Sequence, residues 1–201
     1  VYVQGATSGT SVFEMRSGTI SGNNSSAFGG GIAALYHTSD VKVKVSGGTI
    51  ENNTARMDGD AISLEGEDEK YPSMELSGSP TISGSVFLYD KAAGPVIYIT
   101  GAFTPTAPIG LSPNRGDEGV VAVTYEDGLT PDLSHFTSLL ENLGLKQNGQ
   151  NLEWASKVQI SFKSADNKTT YKKVYVLPGD TINATEAPAP TQTGYTLSGW
   201  R

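Results

Sequence analysis

The chain has 201 residues, rich in glycine (24) and proline (10), with a net charge of −7 from 14 basic and 21 acidic residues. The basic residues form no dense run, which argues against nucleic acid as a partner, because phosphate binding needs clustered lysine and arginine. No apolar run approaches the ~20 residues of a membrane-spanning helix. The absence of cysteine excludes disulfides and thiolate metal sites.

A short phrase recurs along the first half of the chain. It is Gly-Thr-Ile-Ser-Gly-Asn-Asn at residues 18–24, and it returns at residues 48–53 and, more weakly, at residues 80–85. The spacing is 30 and then 32 residues. A strand, an Asn/Gly turn and another strand that recur at this period predict stacked coils.

Apolar and polar residues alternate on both sides of the phrase, which predicts strands with one buried face. The aligned apolar pairs before the phrase are Phe13/Met15, Val43/Val45, Met74/Leu76 and Ile97/Ile99. Those after it are Ile32/Ala34, Ile62/Leu64 and Val86/Leu88, with Val1/Val3 standing 31 residues before Ile32/Ala34. The third coil has lost most of the loop between its phrase and its second strand.

These patterns predict an all-β fold, a right-handed parallel β-helix that buries its apolar side chains in columns. The central isoleucines of the phrase, Ile20 and Ile50, are expected in the core. Asn23 is expected over Asn53, with their amides hydrogen-bonded along the axis. The alternative is that the asparagines only mark ordinary turns.

Beyond residue 100 the phrase disappears, and a cap for the open end of the sheets is expected. Strands are predicted at residues 107–111 and 120–124. A short helix is predicted from Thr130 as N-cap and Pro131 as first residue, with Gly144 as its end. Asn148-Gly149 predicts a hairpin. The first domain is therefore expected to be residues 1–155, a β-helix with a capping helix and hairpin.

Residues 156–201 are predicted to form a second, small β module. Strands are expected at residues 158–162 and 171–176, followed by a turn at residues 178–180 and a proline-rich extended stretch. The chain starts within a strand at residues 1–3 and shows no signal peptide, so it is expected to be a segment of a longer polypeptide.

Two resemblances emerge from these residues. Residues 13–24, followed by Phe-Gly-Gly-Gly-Ile at residues 28–32, resemble the repeats of large bacterial surface proteins of the right-handed β-helix, adhesin-like type. Residues 158–162, 176–181 and 190–200 resemble the Listeria–Bacteroides repeat, an internalin-type B-repeat module with a β-grasp-like fold. The chain departs from that pattern by stopping after Trp200-Arg201, so an incomplete or differently paired module is expected. The resemblances imply export and display on a bacterial surface.

Parallel β-helices also host polysaccharide lyases and hydrolases, which place carboxylates from adjacent coils in a groove. The one acidic cluster comprises Asp58, Asp60, Glu65, Glu67, Asp68 and Glu69. Asp58 and Asp60 would point the same way if their segment were a strand. In the stack, however, Asp58 lies over Phe28 and Asp60 over Gly30, so no carboxylate pair spans two coils. We therefore expect no catalytic residue.

The same stretch is the only candidate metal site. Arg56 would act as a lyase-type base beside a metal held by Asp58 and Asp60, but calcium needs about six to eight oxygen ligands. No metal and no cofactor are therefore expected, and the stretch is interpreted as a solvated acidic loop. Structural calcium is the alternative.

The remaining candidates carry little chemistry. His37 and His135 have no neighbouring serine or acid in a triad motif. Arg115-Gly116-Asp117 spells an integrin-type tripeptide and equally fits a β-turn. Four tyrosines would form a sugar-stacking strip or pack within the fold: Tyr36, Tyr71, Tyr89 and Tyr98.

The sequence thus predicts a non-enzymatic segment of a secreted bacterial surface protein, a stalk or an adhesin-like binding surface. Its expected partner is an extracellular glycan or a host or cell-surface protein. The alternatives are a polysaccharide-active β-helix enzyme, either lyase or hydrolase, and a carbohydrate-binding module without turnover.

Overall fold

The computed structural model describes residues 1–37, 39–66, 70–89, 94–183 and 185–190. Over these residues the fold is all-β, with twenty strands and a single 3-10 turn at Leu133–His135. The strands are β1 (Tyr2–Gln4), β2 (Ser11–Met15), β3 (Thr19–Ser21), β4 (Asn24–Ser25), β5 (Ile32–Leu35), β6 (Val41–Val45), β7 (Thr49–Glu51), β8 (Thr54–Ala55), β9 (Ile62–Glu65), β10 (Ser73–Gly78), β11 (Thr81–Ile82), β12 (Ser85–Tyr89), β13 (Ile97–Phe103), β14 (Ile109–Pro113), β15 (Val121–Tyr125), β16 (Phe136–Ser138), β17 (Leu143–Asn148), β18 (Asn151–Ser156), β19 (Val158–Lys163) and β20 (Thr170–Val176). No helix in the described ranges has the length and hydropathy to cross a membrane.

The strands stack coil upon coil into a parallel β-solenoid of about four turns. One sheet has six strands in the order β1-β5-β9-β12-β14-β16, and another has seven in the order β17-β18-β15-β13-β10-β6-β2. The first three coils also contribute one strand each to a three-stranded sheet, β11-β7-β3, and the first two contribute the pair β4-β8. The predicted parallel stacking of coils is therefore confirmed.

The register of the stack follows the apolar pairs of the sequence. In the seven-stranded sheet Val43 lies between Phe13 and Met74, and Met74 in turn lies opposite Ile97. In the six-stranded sheet Val3 pairs with Ala34, and Ala34 pairs with Leu64. A further column between the sheets contains the phrase isoleucines, Ile20 over Ile50 over Ile82. The last two are buried and Ile20 packs against the core as a half-buried residue.

In the turn after the phrase isoleucine, two consecutive positions have different structural roles. Gly22, Asn52 and Gly84 occupy equivalent places in three coils, and all have positive φ, at 69°, 54° and 104°. Only glycine and, at lower cost than other residues, asparagine adopt this left-handed backbone. The next position carries the amide stack.

The predicted stacking of Asn23 over Asn53 is confirmed. The buried Asn53 Oδ1 accepts from the Asn23 backbone N–H at 3.1 Å and from Asn23 Nδ2 at 2.8 Å. Asn53 Nδ2 donates to the carbonyl of Ile20 at 2.9 Å. Asn53 therefore ties the second coil to the first through one side chain.

The predicted capping helix is wrong. Only the 3-10 turn Leu133–His135 forms, with Asp132 rather than Thr130 as N-cap, accepting from the Ser134 N–H at 2.8 Å. The chain then continues into β16, which pairs in parallel with β14, and Gly144 lies inside β17. The edge of β14 offers a row of backbone partners, whereas an isolated short helix is marginal in water.

The predicted hairpin is confirmed and closes the seven-stranded sheet. Strands β17 and β18 are joined through Gly149 and Gln150, and Gly149 has φ 58°. Strand β18 pairs with β15 in antiparallel fashion, with Thr124 opposite Asn151. Its Trp154 is almost fully buried, so the hairpin also contributes to the core.

Contacts divide the chain into two compact units, Val1–Ala155 and Ser156–Arg201. In the second unit β19 and β20 form an antiparallel hairpin, with Ile160 opposite Val174. The predicted turn follows, where the Asp180 N–H donates to the carbonyl of Leu177 at 3.0 Å and Gly179 has φ 97°. The motif at residues 190–200 lies, apart from Pro190, outside the described residues.

Candidate functional site

The middle of the outer face of the six-stranded sheet is covered, although that side of a solenoid strand usually meets water. Ser63, Phe87 and Ser112 pair on successive strands β9, β12 and β14. They point away from the core, since their sequence neighbours fill it. Their exposed fractions are nevertheless only 0%, 5% and 6%. Other parts of the chain must therefore lie on this face.

The cover comes from the loops of the first two coils, residues 26–30 and 56–60. These loops run in register, because the Met57 N–H donates to the carbonyl of Ala27 at 3.1 Å and the Gly29 N–H to the carbonyl of Asp58 at 3.2 Å. The Phe28 ring from the first coil stacks on Phe87 of the third, with centroids 5.0 Å apart and planes 2° apart. The first loop therefore reaches across the second coil.

Glycine permits the loops to lie this close to the sheet. A Cβ atom at Gly29, where φ is 66°, would stand 2.6 Å from the Cβ of Ala33. A Cβ atom at Gly59, where φ is 75°, would stand 2.7 Å from the carbonyl oxygen of Ile62. At both positions the backbone is left-handed and the neighbouring atoms leave no room for a Cβ, so only glycine fits.

The loops stop at the third coil, and a groove opens there. Only residues 83–85 separate Ile82 from Val86 in that coil, whereas residues 51–61 separate Ile50 from Ile62, the residue paired with Val86, in the second. The groove has a volume of about 650 Å³, within the usual range of ligand sites. Phe87 and Ser112 of the sheet line it, together with loop residues Phe28, Arg56, Met57 and Asp58. Pro113 at the end of β14, Asn114 after it and Leu140 after β16 also line it.

The carboxylate of Asp58 joins two coils across this groove. Its Oδ2 accepts from the Ser112 hydroxyl at 2.6 Å, and its Oδ1 accepts from the Gly59 N–H at 2.6 Å. Ser112 belongs to the fourth coil, so this bond spans the third coil. Asp58 is half-buried and retains lone pairs for a further donor.

Asp60 has separate partners. Its Oδ1 accepts from the Ala55 N–H at 2.7 Å, and its own N–H donates to the Ser85 hydroxyl at 2.9 Å. The expectation that Asp58 and Asp60 point the same way assumed a strand, and residues 58–60 are not one. Of the described residues, no three histidines or acids stand close enough to hold a metal ion. Residues 67–69, the rest of the predicted acidic cluster, lie outside the described ranges.

Two neighbouring side chains on the loop face solvent. Met57 is 64% exposed, and Arg56 is exposed with no carboxylate of the described residues in ion-pair contact. Both line the groove. An apolar thioether and an exposed guanidinium thus line the groove together with the half-exposed ring of Phe28.

The covered face also includes Glu65 on β9, the strand paired with the groove strand β12. Its Oε1 accepts from the Ser63 hydroxyl at 2.8 Å. Burial raises the pKa of the Glu65 carboxyl above its ordinary value, and the hydrogen bond from Ser63 opposes this only in part. Folding therefore disfavours the charged form of this side chain.

The other sequence candidates are dispersed. His37 is exposed, and His135 packs edge-on against Phe103, with ring centroids 5.3 Å apart. In the tripeptide, Arg115 Nη2 and Asp117 Oδ2 form an ion pair at 2.9 Å. The four tyrosines do not form one strip: Tyr36 is buried, and Tyr89 and Tyr98 lie in different sheets.

A second cavity, of about 490 Å³, lies at the open N-terminal end of the solenoid. Val1 and residues 13–20 line it. Its side chains are those of the first coil's own core and the exposed Glu14–Arg16 ion pair, so the lateral groove is the better candidate site.

Comparison with protein-family models, with curated proteins and with solved structures gives no match for this chain.

Proposed function

We propose that this chain is a non-enzymatic segment of a secreted bacterial cell-surface protein, a rigid scaffold that presents a lateral binding surface. The observation that carries the proposal is the groove on the six-stranded sheet. Among its described lining residues, Asp58 is the single carboxylate, and it is hydrogen-bonded between two coils. Glycoside hydrolysis needs two carboxyl groups about 5–9.5 Å apart across the substrate.

The cellular setting rests on the two resemblances. A right-handed solenoid followed by a small β-grasp-like module is the arrangement that they imply for an exported, surface-displayed protein. The regular stacking of Ile20, Ile50 and Ile82 supports a stalk, because each coil is held by its neighbours. The β19–β20 hairpin is compatible with the second module.

The experiment measures turnover and binding on the same purified chain. Neutral and acidic polysaccharides are incubated with it, and new reducing ends and the absorbance of unsaturated uronates are followed. We expect no products, together with retention of the protein on at least one immobilised glycan. Turnover that disappears in Asp58→Asn would overturn the proposal.

A second candidate, a polysaccharide lyase, is favoured by one observation, the exposed guanidinium of Arg56 that lines the same groove of ligand size as Asp58. A lyase would release products with ultraviolet absorbance from a uronate polymer, and Arg56→Gln would abolish that release. A purely structural stalk would show neither binding nor turnover.

A further inference from the structure

We propose that the lateral groove binds an uncharged hexopyranose chain, a neutral polysaccharide. This inference rests on the proposed function, since it names the ligand of that binding surface. Three properties of the groove carry it: an exposed apolar patch, a balanced pair of charged hydrogen-bonding groups, and a position where no strand edge is available.

The apolar patch is formed by Met57 and the ring of Phe28. Met57 is 64% exposed, and the Phe28 ring is backed by Phe87 at 5.0 Å, which fixes its orientation. A thioether beside a rigid ring offers an apolar contact surface. The C–H faces of a pyranose ring match such a surface.

Arg56 and Asp58 line the same groove and supply opposite hydrogen-bonding roles. The guanidinium donates only, and the carboxylate accepts only. A sugar hydroxyl both donates and accepts, so a pair of neighbouring hydroxyls satisfies both groups. The two charges sum to zero, which gives no electrostatic advantage to an anionic polymer, and the chain as a whole carries −7.

An extended peptide fits this position poorly. Peptides that bind to sheets usually add a strand at an exposed edge. The groove lies on the face of the six-stranded sheet, where β12 is hydrogen-bonded to β9 on one side and β14 on the other. A ligand there has to be recognised through side chains, as a sugar is.

The groove favours a chain over a single sugar. Its lining residues come from the first to the fourth coil, from Phe28 to Ser112. The groove volume of about 650 Å³ leaves room for more than one pyranose ring.

The test measures affinity by isothermal titration calorimetry with the full chain. The probes are soluble neutral oligosaccharides of glucose, mannose and galactose, and oligogalacturonate as the acidic counterpart. The groove variants are Phe28→Ala, Arg56→Gln and Met57→Gln. Arg16→Gln and Tyr98→Ala are matched controls, because both side chains are exposed and outside the groove.

We expect one neutral oligosaccharide to bind, with affinity about tenfold weaker in each groove variant and unchanged in both controls. Arg56 and Met57 are exposed, so their variants remain folded even if Phe28→Ala does not. Unchanged affinity in these two variants would overturn the assignment of the groove and leave the proposed binding segment intact.

Three other outcomes of the titration would each overturn part of the proposal. Tighter binding of oligogalacturonate would overturn the argument from charge balance. Binding of none of the probes by the folded wild-type chain would overturn the glycan assignment. Conversion of any probe to products would overturn the non-enzymatic function itself.

Discussion

Replacing Asn53 with alanine should destabilise the solenoid unit by about 2 kcal/mol. The side chain is 5% exposed and makes three hydrogen bonds, at 2.8, 2.9 and 3.1 Å. Two of them satisfy backbone groups, the N–H of Asn23 and the carbonyl of Ile20. Each such bond contributes about 1 kcal/mol net. The third goes to the exposed amide of Asn23, which turns to water at little cost.

Urea denaturation measures this loss. The buried indole of Trp154 gives a fluorescence signal from the same unit, and far-UV circular dichroism tests whether the transition is two-state. For a unit of this size the loss corresponds to a fall of roughly 4–8 °C in melting temperature.

Asn23→Ala is the matched control. Asn23 is exposed, and its removal leaves Asn53 bonded to the backbone N–H of residue 23 and to the carbonyl of Ile20. We expect a cost below about 1 kcal/mol. Equal losses in the two variants, or a loss under about 0.5 kcal/mol for Asn53→Ala, would show that the amide stack does not hold the coils together.

Three further predictions use the same titration. Ile50→Asp should abolish the cooperative transition, since it puts a charge into the apolar column, whereas Ile50→Val should cost only about 0.5–1.5 kcal/mol. Asn52→Gly should leave stability nearly unchanged and Asn52→Ala should cost about 1 kcal/mol, because φ is 54° there; equal effects would argue against backbone strain. Glu65 has a raised folded-state pKa, so its stabilising contribution is complete below the unfolded pKa and is lost as pH rises through the folded one. Glu65→Gln should therefore exceed the wild type in stability at about pH 7 and match it at about pH 3; a constant difference would refute this.

The stacking of the coils could be predicted because one period fixes it. Alternation decides which residues face inward, and the 30-residue spacing decides which residues lie on top of each other. The alternation and the 30-residue spacing alone predict that Val43 pairs with Phe13 and Ile50 with Ile20. Local apolar pattern and long-range pairing agree here, which is what makes a repeat sequence predictable.

The prediction failed where one apolar pattern is compatible with both a helix and a strand. The apolar spacing from Leu133 to Leu143 suits a helix, but it also puts Phe136 into the core from a strand. The choice depends on the open edge of β14, which local sequence does not show. The amide stack of Asn53 on Asn23 was predicted, but the separate role of Asn52 was not. Asn52 and Asn53 are alike as turn residues, yet one supplies a left-handed backbone and the other an amide stack.

The groove lay beyond the sequence argument because its residues follow no common spacing. Phe28, Phe87 and Ser112 come from three coils of unequal length. Asp58 was placed correctly over Phe28, but the stack gave no sign that Phe28 crosses the second coil. The usable signal was the glycines at positions 29 and 59, which let the loops lie against the sheet.

The shortened third coil links the repeat to the proposed binding surface. In the first two coils, equal loops pair with each other and cover the outer face of the sheet. A third equal loop would extend that cover toward Ser112, and the hydroxyl there would meet a loop instead of the Asp58 carboxylate. Because the loop is missing, Asp58 reaches Ser112 directly, and Arg56 and Met57 remain at an open boundary. The regular coils therefore provide rigidity, while the interruption of the repeat provides the place where a ligand has access.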